Sequence, residues 1–131
     1  MDELKSFIER DAFAGLLGVE VLDHGDGHAR ARMEIKAHHL NSAGGLHGGA
    51  IFSLADVAFS VAANSRGTLA LAINANVAYF KAVNSGALIA EAREVVVNRK
   101  LATYLIDVRD EAGGLIAQVQ GTVYRKTTGT A

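Results

Sequence analysis

The stretch HGGAIFSLADVAFSVAAN, residues 47–64, decides how the rest of the chain must be read. It opens on two glycines and then carries Ile51, Phe52, Leu54, Val57, Ala58, Phe59, Val61 and Ala62, which span more than one face of a helix. A helix that is apolar on several sides must be covered over most of its circumference. One twisted antiparallel sheet wrapped around it would supply that cover, and alanines 55, 58, 62 and 63 would let strands approach closely. The spacing predicts a helix from about 48 to 65, stopped by Arg66-Gly67 as a basic last turn and a glycine signal. Asp56 is out of place here: it puts a carboxylate in the middle of a buried helix.

Working outward, residues 2–15 place Leu4, Phe7, Ile8 and Ala12 at helical spacing among charged residues, which predicts an amphipathic helix on the outside of a sheet. Val19 to Ile35 reads as two strands joined at His24-Gly25-Asp26-Gly27, whose residues tolerate positive φ. In the second of these, Ala29, Ala31, Met33 and Ile35 oppose His28, Arg30, Arg32 and Glu34. Residues 37–46 hold too many breakers for a regular element. Beyond the long helix come four strand-like segments, near 69–81, 87–98, 102–110 and 115–126, with short connections that favour antiparallel neighbours. Residues 127–131 form a small polar tail, expected to fray. The expected architecture is α+β, one domain over residues 1–131. A wrapped sheet leaves open edges, so pairing of edges between subunits is expected.

Bulk properties narrow the function. A chain of 131 residues with 50% hydrophobic composition suits one domain with a real core. Thirteen basic and 14 acidic residues leave a net charge of -1, with no electrostatic footprint for nucleic acid or anionic lipid. The absence of cysteine excludes disulfides, zinc–thiolate sites and thiol nucleophiles. The start, Met1-Asp2-Glu3-Leu4-Lys5, lacks the pattern of a secretion signal, and no apolar run is long enough for a transmembrane helix. The expectation is a soluble, cytoplasmic protein with no membrane or nucleic-acid partner.

The chemistry concentrates within residues 41–56. Gly48 and Gly49 sit at a helix start, where backbone N–H groups lack intrahelical partners and the dipole is positive. Without a Cβ they admit an oxygen-bearing ligand, and a carbonyl that becomes negative in a transition state is a suitable guest. His47 and Asn41 add side-chain donors nearby. Asp56 lies seven residues beyond Gly49, about 10 Å along the axis, too far to share one small reaction centre within its own chain. Two-fold pairing with antiparallel helices would carry one chain's Asp56 towards the other's glycines. Burial would raise its carboxyl and suit it to take a proton from water or to attack a carbonyl. The alternative is a structural Asp56, bonded to a neighbouring strand or to a helix terminus of a second chain.

The string LNSAGGLHGGAIFSLADVAFSVAANSRG, with this strand order, resembles the hotdog-fold acyl-CoA thioesterases, and most closely their phenylacetyl-CoA (PaaI-type) branch. The resemblance covers roughly residues 10–126 and rests on Asn, HGG and the acid of LAD at fixed spacing. It implies a sheet wrapped around a central helix, and dimers that associate further into tetramers. It implies hydrolysis of acyl-CoA thioesters, aryl-acetyl, aromatic or medium-chain, without a metal or other cofactor beyond the CoA of the substrate. By the same resemblance Asp56 is general base or nucleophile, the N–H of Gly49 or Gly48 polarises the carbonyl, and His47 and Asn41 orient carbonyl or water from the partner chain. Some relatives carry a hydroxyl residue about 16 positions after the acid. Here Ala72 stands there, followed by Ile73 and Asn74, so Asn74 or Asn64 are the candidate substitutes for holding water.

Other residues have competing readings. Arg99 and Lys100, in a turn between strands, are solvated charges or, by the resemblance, partners of CoA phosphates; Arg66 and Arg125 are weaker candidates for the same role. Tyr79 and Phe80 are core residues or line an acyl or pantetheine channel, and core packing is the default for Phe52 and Phe59. Adjacent His38 and His39 would point to opposite faces of a strand, and no carboxylate falls at ligand spacing, so a loop or interface role is favoured over metal. His24 and His28 flank a surface turn. Two other function classes stay open: a hotdog dehydratase or hydratase, and a non-catalytic acyl-CoA-binding module.

Overall fold

A computed structural model describes residues 2–126. The long helix, α3, runs Gly48–Asn64 and is followed by four strands: β3 (Ala70–Tyr79), β4 (Ala87–Val97), β5 (Leu101–Asp110) and β6 (Leu115–Arg125). Before it stand α1 (Asp2–Glu9), α2 (Ala12–Leu17), β1 (Glu20–Gly25), β2 (His28–Glu34) and a 3-10 turn at Ala37–His39. The strands form one antiparallel sheet in the order β1-β2-β4-β5-β6-β3. This is the hotdog arrangement, a sheet curled around a central helix. Among the described residues no helix is long and apolar enough to cross a membrane. The tail at 127–131 lies outside the described residues.

Alternation in the strands selects the face turned to α3. Ala29, Ala31 and Met33 of β2 are fully buried, as are Tyr104, Ile106 and Val108 of β5, while their sequence neighbours are wetter. Alanines 55, 58, 62 and 63 of α3 are buried against this surface. Phe59 meets the Tyr104 ring at 5.8 Å and lies over Gly121, where an added Cβ would come within 2.5 Å of its ring. The close approach of helix and sheet therefore needs glycine at 121.

Four expectations are corrected. The N-terminal segment is two helices, because Asp11 caps a new start by accepting the Ala14 N–H at 2.9 Å, and Gly18 ends it in the left-handed region at φ 78°. Those helices pack against α3 beside β1, not on the outer side of the sheet; Phe7, Ile8, Val57 and Val61 line the groove between them. Nor is α3 wrapped all round. Gly49 and Asp56 are exposed and Phe52, Ser53 and Ser60 half-buried, which leaves a stripe along the helix uncovered in the single chain. Its end also differs in detail. Ser65 is the C-cap, Gly67 adopts φ 82°, and Arg66 reaches away to Glu94.

The sheet's two edges are unlike. β1 is six residues long, irregular between Val21 and Asp23, and carries Glu20 and Asp23. β3 is ten residues long, holds no charged side chain, and is largely exposed on both faces.

Candidate functional site

The loop before α3 is built to deliver the helix start. Asn41 Oδ1 accepts the N–H groups of Ala43 (2.9 Å) and Gly45 (3.1 Å), so this side chain shapes the turn. Leu46 N–H donates to Val83 and His47 N–H to His39, each at 2.8 Å, which ties the loop to its surroundings. His39 is 2% exposed; its Nδ1 accepts the Lys36 N–H and its Nε2 bonds the Leu17 carbonyl, both at 2.9 Å. Those partners fix a neutral ring with the proton on Nε2, and burial holds its pKa below the ordinary value. His38 and His39 lie in a 3-10 turn with rings 4.3 Å apart, instead of on a strand. Among the described residues no group of three or more His, Cys, Asp or Glu is placed to hold a metal.

His47 is the N-cap of α3. Its carbonyl accepts the Ala50 and Ile51 N–H groups, and its Nδ1 accepts the Gly49 N–H at 2.8 Å. The Gly48 carbonyl accepts the Tyr79 hydroxyl at 3.0 Å. Tyr79 and Phe80 are about half exposed, and with Gly48, Leu46, Ile51 and Lys81 they line a shallow cleft beside the helix start. A second hollow on the other side of the start is lined by Phe13, Leu40, His47, Gly49 and Ser53. The structure thus places Asn41, His47, Gly48, Gly49, Tyr79 and Phe80 around the N-terminal end of α3.

Asp56 and the basic pair lie elsewhere. Asp56 sits two turns along the open stripe of α3, exposed in the single chain rather than buried. Desolvation by its surroundings still raises its carboxyl above the ordinary value, and the negative charge of Asp11 adds to this. Arg99 and Lys100 occupy the β4–β5 turn, which Arg125 fastens through Asn98 and Lys100 carbonyls at 3.0 and 2.7 Å. That turn lies by the C-terminal end of α3, a helix of 17 residues and so about 25 Å from end to end. Within one chain the basic pair does not meet the glycines.

Ala72 stands at an irregularity of β3, between positions 72 and 74. Asn74 is exposed, and its Oδ1 accepts the Asn76 side-chain amide at 3.5 Å. Asn64 is committed: it donates to the Ser60 and Ala70 carbonyls and accepts the Ala70 N–H at 3.0 Å. It is a structural clamp, not a water holder. Sequence reasoning missed the Tyr79–Gly48 bond, since no local pattern joins residues 31 apart.

A family model described as Thioesterase superfamily matches residues 43–117, the loop, α3 and the strands that follow. A protein of Archaeoglobus fulgidus assigned as an esterase is 46% identical over 127 residues, covering 95% of this chain and 82% of that one. The acyl-coenzyme A thioesterase PaaI of Escherichia coli is 31% identical over 118 residues, 89% of this chain and 84% of that one. The solved structure of the E. coli PaaI protein from the phenylacetic acid degradation operon matches with a TM-score of 0.90 at 29% identity, covering 94% of this chain and 90% of that chain. The fold and the matched sequence together place the chain in the thioesterase superfamily, among its PaaI-like members.

Proposed function

We propose that this enzyme hydrolyses acyl-CoA thioesters, with an aryl-acetyl, aromatic or medium-chain acyl group, in the cytoplasm. It works as a homodimer with shared active sites, paired further into a homotetramer. The thioester oxygen accepts a backbone N–H at Gly48–Gly49 of one subunit, and Asp56 of the other takes a proton from the attacking water. Addition gives a tetrahedral oxyanion; the C–S bond then breaks, the thiolate leaves as CoA and takes up a proton, and a carboxylic acid remains. Attack by Asp56 itself, through an anhydride that water then opens, uses the same groups. His47 and Asn41 orient carbonyl or water, Tyr79 and Phe80 line the acyl or pantetheine channel, and Arg99 and Lys100 meet CoA phosphates across the interface.

The observation that carries this reading is the position of Asp56. It is an acid of raised pKa on the uncovered stripe of α3, two turns from its own helix start. An acid so placed reaches the Gly48–Gly49 helix start only on another copy. The name of the E. coli relative supports the substrate class. Arg99 and Lys100, at the far end of α3, would approach the same site under the same two-fold pairing.

The test is thiol release from a panel of acyl-CoAs by wild type and Asp56→Asn. The variant is expected to lose about 10²–10⁴ in kcat/KM, and the acid limb of the wild-type profile, displaced above the ordinary carboxylate range, should vanish with it. Equal slow release by both would sink the enzyme reading. Hydration of a 2-enoyl-CoA in place of thiol release would move the protein to the hydratases.

A further inference from the structure

We propose that Tyr79 is a positioning residue of this site, acting through the peptide unit between Gly48 and Gly49 to aim and strengthen the N–H that meets the thioester oxygen. The inference rests on the reading above, in which that N–H polarises the carbonyl. The Gly48 carbonyl and the Gly49 N–H are the two poles of one rigid, conjugated plane. The Tyr79 hydroxyl donates to the first pole at 3.0 Å. A hydrogen bond to a carbonyl polarises the amide and makes its N–H a better donor.

The rest of the geometry is arranged to keep that contact. A Cβ at residue 48 would stand 3.2 Å from both Cζ and the hydroxyl oxygen of Tyr79, so with glycine there the ring packs directly on the helix start. Tyr79 is the last residue of β3, paired with Ala117, and the Phe80 N–H extends the pairing to Ile116 at 2.8 Å. The backbone bearing the ring is thus fixed to β6. At the opposite pole the Gly49 N–H is held by His47 Nδ1 at 2.8 Å. An arriving carbonyl oxygen must take the imidazole's place. The hold of Tyr79 on the carbonyl pole keeps the plane from turning during that exchange. His47 is therefore the displaceable partner of this peptide, and Tyr79 the permanent one.

Loss of a whole oxyanion donor costs about 10²–10³ in kcat. Cooperative polarisation accounts for about 10–30% of a bond's strength, so removing the Tyr79 hydroxyl should lower kcat by about two- to eightfold. Tyr79→Phe keeps the ring and removes only that hydroxyl. Two measurements are made on the full chain. In the ligand-free protein the Gly49 amide ¹⁵N resonance should move upfield in Tyr79→Phe, while amides in the last two turns of α3 hold still. With phenylacetyl-CoA and octanoyl-CoA, kcat should fall by the stated factor at unchanged KM. An unmoved Gly49 resonance, or an effect confined to KM, overturns the proposal. If wild type cleaves neither these nor any other acyl-CoA, the functional reading fails and takes this role with it. If cleavage depends on Asp56 but not on Tyr79, the role of Tyr79 alone fails.

Discussion

The two ends of α3 use their polar groups in opposite ways. At the C-terminal end the side chains of Asn64, Ser65 and Arg66 are all paired within the chain. Arg66 grips both oxygens of Glu94, at 2.8 and 2.6 Å, and the buried Tyr104 hydroxyl donates to the same carboxylate at 3.0 Å. Ser65 Oγ accepts the Gly27 N–H and donates to Ala62, both at 2.8 Å, while Asn64 clamps Ala70. At the N-terminal end Gly49 is exposed, the cap is the His47 side chain, and aromatic rings stand open beside it. One end is spent on stability, and the other keeps its donors within reach of a guest.

The comparison breaks most visibly where two chains must cooperate. Asp56→Asn and Gly49→Val should each abolish most turnover. Unfolded together and reassembled, dimers with one copy of each regain one intact site, so the mixture should recover about a quarter of the wild-type rate. A mixture no faster than either variant would place both groups in a single chain's site.

At the closed end, Glu94→Ala leaves the Tyr104 hydroxyl buried without its acceptor. It should cost about 1–3 kcal/mol in urea denaturation, with kcat/KM of the folded fraction unchanged. A fall in kcat/KM would show that the two ends are coupled.

Acid separates the ends by pH. His39, on the loop before the helix start, has its pKa lowered by burial, so the unfolded chain binds the proton more readily. Its contribution to stability is complete above the ordinary histidine value of 6.5 and is lost as pH falls below it. Glu94 is lowered first by Arg66; its contribution is complete above the ordinary 4.5 and is lost only as pH falls through its lower folded value. Amide exchange at residues 39–47 should therefore quicken at milder acidity than exchange around residues 94 and 104, and His39→Gln should remove the earlier stage.

The smallest effect is a gain. Asp56 is raised in the folded chain, so stability falls as pH climbs from the ordinary value of 3.8 through the folded one. Asp56→Asn should raise Tm at pH 7 and leave it unchanged at pH 3; an equal Tm at both would mean the carboxylate is not desolvated in solution.

Much of the fold was legible because periodicity reports burial directly. The alternation in β2 and the apolar run of α3 each describe a face that meets the core. The break at Asp11 was hidden because an amphipathic pattern can continue across two short helices, and only the capping geometry divides them. The open stripe of α3 was hidden for a related reason: a small residue such as Gly49 or Ser53 reads the same whether covered or bare. At the site, His47 and the glycines were readable from helix-start chemistry. Whether Asn41 faces substrate or its own turn depends on the path of a loop that carries no period, and the Tyr79 contact depends on where β3 ends.

The free edge of β3 bears on how the molecule is made. Among the described residues this uncharged strand joins the sheet only through β6, the last of the six strands in sequence. During synthesis or refolding it waits, complete from Tyr79 onward, until residues beyond Leu115 arrive to cover one side. Long-range pairing of this kind is slow and leaves an exposed template meanwhile. Refolding yield should therefore decline as the protein is concentrated, and the strand that carries Tyr79 to the helix start is the part of the chain most exposed to mispairing.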